Sequence, residues 1–94
     1  MPYVIIQHQV ANYAKWKRAV KAFAPFRQAS GEKSFHVLRC AKNLNLLNIC
    51  CAWDTTARLQ KFLQSAELRD AMKSAGVIGK PEIYLFKSKE DLSA

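Results

Sequence analysis

The chain has 94 residues, half of them hydrophobic, and a formal net charge of +8. That length allows one domain over residues 1–94 with a modest core, and the composition excludes a disordered chain. No apolar run approaches the roughly 20 residues needed to cross a bilayer, and Met1-Pro2-Tyr3 lacks the basic start of a secretion leader, so a soluble cytoplasmic protein is expected.

Strand one is expected over Tyr3 to Val10, where Val4, Ile6, His8 and Val10 share one face and Tyr3, Ile5, Gln7 and Gln9 the other. Asn12 is a good N-cap. Tyr13, Trp16, Val20, Phe23 and Phe26 then recur at spacings of three and four, the stripe of an amphipathic helix. Pro25 has no amide hydrogen and should kink or break this helix near Phe23, with a last turn through Ala29 before Ser30-Gly31 ends it.

Lys33 to Cys40 reads as strand two, with Phe35, Val37 and Arg39 alternating against Ser34, His36, Leu38 and Cys40. Lys42 to Asn45 reads as a turn. Strand three runs from Leu46 to Trp53 and is apolar on both faces except at Asn48, the pattern of a strand at the sheet centre. Asp54 or Thr55 caps a short helix carrying Leu59, Phe62 and Leu63 inward; Ser65 caps a second, with Leu68, Ala71 and Met72, closed by Gly76. Gly79-Lys80-Pro81 reads as a loop and Glu82 to Lys87 as strand four, followed by a polar tail from Lys89 that is expected to fray.

The order β-α-β-β-α-β has one common solution, the ferredoxin-like α+β sandwich: a four-stranded antiparallel sheet, strands one and three adjacent, with helices on one face. Whichever face of each strand the helices take, the other still carries apolar sets such as Tyr3 with Ile5, Tyr84 with Phe86, or Phe35 with Val37. Leaving them wet forgoes roughly 1.5–3 kcal/mol each, so a second copy is expected to cover them through an isologous contact.

Nearly the whole chain, from Tyr3 to about Lys87, resembles the dimeric α+β barrel superfamily that contains the antibiotic-biosynthesis monooxygenases. The resemblance rests on Gln7-His8-Gln9-Val10-Ala11-Asn12-Tyr13 followed by Trp16, on Trp53-Asp54, on Phe62-Leu63-Gln64-Ser65 with Glu67-Leu68-Arg69, and on Gly76-Val77 ahead of Pro81-Glu82-Ile83-Tyr84. It implies a homodimer that binds a small apolar or aromatic compound.

Two branches make different demands. The haem-degrading members resemble this chain around Trp53, but their axial histidine falls at Met72 here, which removes the usual proximal iron ligand. The cofactor-independent oxygenases need a group that deprotonates or hydrogen-bonds a phenol inside an apolar wall. His8 and Trp53 are the catalytic candidates on that reading. Tyr13, Trp16, Phe23, His36, Asn48, Phe62, Met72 and Tyr84 are the ligand-binding candidates, and no cofactor or metal is required. The hairpin register decides whether His36 faces the same side as Cys51 and Trp53.

Each residue also has a plainer role: Trp53 and Trp16 as core anchors, His8 as a satisfied structural histidine, His36 facing solvent or the dimer contact, Met72 as filler, and Arg39 and Asn48 as a pair across the hairpin or part of the subunit contact, with anion binding as their other option. The three cysteines read as reduced packing residues, with Cys50 and Cys51 on opposite faces. Zinc and phosphate-loop spacings are missing. Strand three lacks the glycine and mid-strand aromatic of an RNA-recognition module, which disfavours specific nucleic-acid binding despite the charge. The expectation is therefore a cofactor-independent monooxygenase acting on an apolar or aromatic compound, with a noncatalytic ligand-binding or stress-associated protein as the alternative.

Overall fold

A computed structural model describes residues 1–93. Its elements are β1 (Tyr3–Val10), α1 (Tyr13–Ser30), β2 (Glu32–Cys40), β3 (Asn43–Trp53), α2 (Thr56–Leu63), α3 (Ala66–Ser74) and β4 (Val77–Phe86). The strands form one antiparallel sheet in the order β2-β3-β1-β4, which places the apolar β3 inside the sheet as expected. Among the described residues, no helix is long and apolar enough to cross a membrane.

The helices start where the sequence provides caps. The side chains of Asn12, Thr55 and Ser65 accept hydrogen bonds from the amides of Lys15, Arg58 and Leu68, each satisfying one of the orphan donors of a first turn. The helical layer covers the face that carries Val4, Ile6, His8 and Val10 of β1 with Leu47, Ile49, Cys51 and Trp53 of β3, all of them buried.

Several boundaries differ from the sequence expectation; β2, for one, starts at Glu32 rather than Lys33. Helix α1 is unbroken through Pro25, because Trp16 and Arg27 on either side of it are buried and Phe23 and Phe26 pack on Phe62 of α2, which outweighs one missing backbone bond. The turn between β2 and β3 shrinks to Ala41-Lys42, so β3 begins at Asn43. Gly79-Lys80-Pro81 is not a separate loop. Gln7 pairs with Glu82 and Gln9 with Ile78, so the three residues bulge within β4. Gly79 supplies a φ of 73° and Pro81 is tolerated because β4 is an edge strand.

Gly31 is where α1 turns back into β2. Its φ is 123°, its amide donates to the carbonyl of Gln28, and its own carbonyl accepts from the amide of Asp54 at 3.0 Å. A Cβ at this position would collide with the Asp54 carboxylate, which is also paired with Arg58. Gly31→Ala should therefore cost about 1–3 kcal/mol, read as a lowered urea midpoint, with only part of it regained when Asp54 is also cut to Ala, since the backbone strain persists.

Candidate functional site

The alternation of β1 places His8 in the middle of an apolar surface. It is 5% exposed, and neither Nδ1 nor Nε2 has a hydrogen-bond partner. Burial lowers its pKa from 6.5 to about 4, so the imidazole is neutral at pH 7. The Trp16 ring meets it edge to face, with centroids 6.0 Å apart at 78°. Tyr13 stacks on Trp16 at 5.6 Å, and the Arg39 guanidinium caps Tyr13 at 3.7 Å, a column that runs from the site outward.

His8 faces a cavity of ≈ 70 Å³ between the helices and the sheet. One water needs only about 10–15 Å³, so this space is several times larger than a packing defect. Its wall is largely aromatic. Trp53, 1% exposed, sits 4.7 Å from Phe62 by ring centroids, and Phe62 lies 6.1 Å from Phe23. Met72 of α3 lines it as well.

A second polar group lies in the same cavity and was missed in the sequence. Arg27, in the last turn of α1, donates from Nε to Glu32 Oε1 at 2.9 Å and from Nη1 to the carbonyl of Val20 at 2.6 Å. Its guanidinium lies 4.4 Å from the centroid of Phe35. Both charged side chains are buried. Desolvation pushes the Glu32 carboxyl up despite the opposing pull of Arg27. Desolvation, followed by the neighbouring Glu32 charge, raises the Cys51 thiol, which is held in the unreactive protonated form. Cys51 was expected only to pack.

Of the predicted site residues, the fold thus gathers His8, Trp16, Phe23, Trp53, Phe62 and Met72 around one cavity. Tyr13 stands behind Trp16. His36, Asn48 and Tyr84 are not there. His36 pairs with Cys50, Asn48 with Leu38 and Gln7, and Tyr84 with Ile5, all on the sheet face away from the helices. The period-two alternation assigns that face once the register is fixed. Asn48 accepts from the Gln7 amide at 3.3 Å rather than pairing with Arg39, and the exposed Tyr84 hydroxyl donates to Glu82. Nor is His8 the satisfied histidine of the plainer reading, since both its nitrogens are orphaned. Among the described residues, no three His, Cys, Asp or Glu side chains converge as a metal site would need.

The fold, a four-stranded antiparallel sheet in ferredoxin-like arrangement with its helices on one face, is similar to that of solved antibiotic-biosynthesis-monooxygenase-like structures. No protein-family model matches the chain, and no curated protein sequence matches it. Solved structures do. SnoaB, a cofactor-independent oxygenase from Streptomyces nogalater, superposes with a TM-score of 0.77 at 15% identity over 99% of this chain and 97% of its own. A Bordetella bronchiseptica protein provisionally described as an antibiotic biosynthesis monooxygenase gives 0.76 at 18% identity over 95% and 97%, and a conserved protein of Methanosarcina mazei gives 0.72 at 16% over 94% and 92%. At these identities the likeness establishes the fold.

Proposed function

We propose that the chain works as one domain that binds a small, largely apolar organic molecule in the cavity beneath α1, and that His8 makes it a cofactor-independent monooxygenase. The observation that carries this reading is the orphaned imidazole: a buried polar group with no partner costs about 1–3 kcal/mol, and His8 faces the cavity with both nitrogens free. A phenol or an activated C–H beside a carbonyl, seated there, supplies the missing partner. Neutral His8 accepts its proton, and the imidazolium then pairs with the anion it has created, which offsets the desolvation that keeps it neutral at rest.

The anion reacts with dioxygen without an added reductant. A substrate CH2 becomes C=O, one oxygen atom enters the product, and the other leaves as water with the two hydrogens the substrate gave up. The wall of Trp16, Trp53, Phe23 and Phe62 keeps water from the intermediates. The test is turnover by oxygen uptake on phenolic and anthrone-type compounds. His8→Ala should lower it by about 10²–10⁴-fold and Trp53→Phe less, with ligand still bound in both. Unchanged turnover in both variants would leave the noncatalytic binding protein as the better reading.

Pairing of two chains through the uncovered sheet face completes the proposal. Leu38 of β2, and Tyr84 and Phe86 beside Ile5 and Tyr3, are 61, 49 and 45% exposed on that face, and burying them favours a homodimer. Ile5→Lys, at the centre of the face, should convert a dimer into a monomer in sedimentation velocity. A wild-type monomer at micromolar concentration would refute the pairing. Three free thiols support a reducing compartment, in keeping with a cytoplasmic protein.

A further inference from the structure

The cavity has polar groups at two places, and only His8 is used by the reading above. The second is the Arg27–Glu32–Cys51 cluster. A structural tie between the end of α1 and the start of β2 would account for the Arg27–Glu32 bond, but it leaves much of the cluster's capacity unspent. Arg27 makes two hydrogen bonds, to Glu32 and to the Val20 carbonyl, whereas a guanidinium carries five donors and a carboxylate has about four acceptor positions. Arg27, Glu32 and Cys51 all line the cavity.

The sheet register sets the spacing of the two places. His8 stands opposite Leu47 and Val4 opposite Cys51, so the His8 end and the Cys51 end lie about 13 Å apart along the strands at roughly 3.3 Å per residue. Between them the wall is apolar and aromatic. The two charges of Arg27 and Glu32 cancel, and His8 is neutral, so neither end favours an ionised group on the ligand. An anion would meet the Glu32 carboxylate, and a cation would meet Arg27.

We propose that the Arg27–Glu32 pair is a second recognition pole, and that the occupant is a neutral, rod-shaped molecule with a hydroxyl or carbonyl at each end, one at His8 and one at Arg27–Glu32. A hydroxyl suits the second pole because it donates to the carboxylate and accepts from the guanidinium at once. This inference rests on the cavity being the ligand site.

The test is calorimetric titration of the full chain with biphenyl, 4-hydroxybiphenyl and 4,4′-dihydroxybiphenyl. The wild type should bind the dihydroxy compound about tenfold more tightly than the monohydroxy one, the size of a hydrogen bond to a charged group. In the double variant Arg27→Met/Glu32→Leu that advantage should vanish while affinity for 4-hydroxybiphenyl persists. In His8→Leu the monohydroxy compound should lose its advantage over biphenyl. Equal wild-type affinities for the two hydroxylated probes would overturn the second pole and leave the cavity reading intact. If none of the three probes binds, both fall. The wild-type comparison decides even where the double variant does not fold.

Discussion

Lowering the pH from 7 to 4 is expected to remove roughly 3 kcal/mol of folding stability through His8 alone. The unfolded chain protonates this imidazole near 6.5, while burial holds the folded one at about 4. Between those values the unfolded state binds a proton that the folded state refuses, so stability falls with pH across that window and levels off beneath it. Glu32 titrates in the opposite sense: its folded carboxyl is raised, so it binds its proton sooner in the native state and favours folding on acidification. The readout is therefore a difference. Urea unfolding of wild type and His8→Leu should diverge in its pH dependence between 7 and 4, the variant lacking the His8 component. At pH 7 the variant should also be about 1–2 kcal/mol more stable, because an apolar side chain replaces an unpartnered polar one. Parallel curves for the two proteins would show that His8 is not buried and orphaned in solution. A variant that gains stability and loses turnover is also the expected mark of a group kept for chemistry rather than for folding.

Arg27→Met should destabilise the chain by about 3–5 kcal/mol, since it leaves the Glu32 carboxylate buried without its countercharge. Its contact with the Phe35 ring and its bond to the Val20 carbonyl are lost as well. Glu32 escapes part of the penalty by holding its proton, which makes the deficit pH-dependent. With its folded pKa raised still further, the variant loses stability as pH rises, so the gap to wild type should be wider at pH 8 than at pH 5.5. Adding Glu32→Leu should recover most of the loss, because replacing both members of a buried pair by apolar groups is often close to neutral. Denaturant unfolding of the single and double variants measures this directly. A single variant within about 1 kcal/mol of wild type would mean that the pair is solvated and forms no part of the cavity.

These two results concern residues that differed greatly in how far the sequence revealed them. Counting gave His8 its parity with Val4, Ile6 and Val10, but only the structure showed that the helices cover that face. Trp16, Phe23 and Phe62 followed from helical spacing in the same way. Arg27 and Glu32 could not be paired by counting, because they lie on either side of the Gly31 reversal, where helical and strand periodicities both lapse. Arg27 is one of 15 lysines and arginines in the chain, and strand two was expected to begin one residue after Glu32. The signal that existed was small: a glycine at a helix end, with opposite charges flanking it.

Local pattern was enough for the element order, the helix caps, the sheet layer and the parity of each strand, because caps, periodicity and right-handed crossovers act over a few residues at a time. Long-range pairing settled the rest. The short Ala41-Lys42 turn and the bulge at Gly79–Pro81 fix registers that a single-residue slip would invert, and they send His36, Asn48 and Tyr84 to the uncovered face. Packing of α1 against the sheet also left His8 without a partner and joined Arg27 to Glu32, since desolvation and ion pairing depend on which surfaces meet in space.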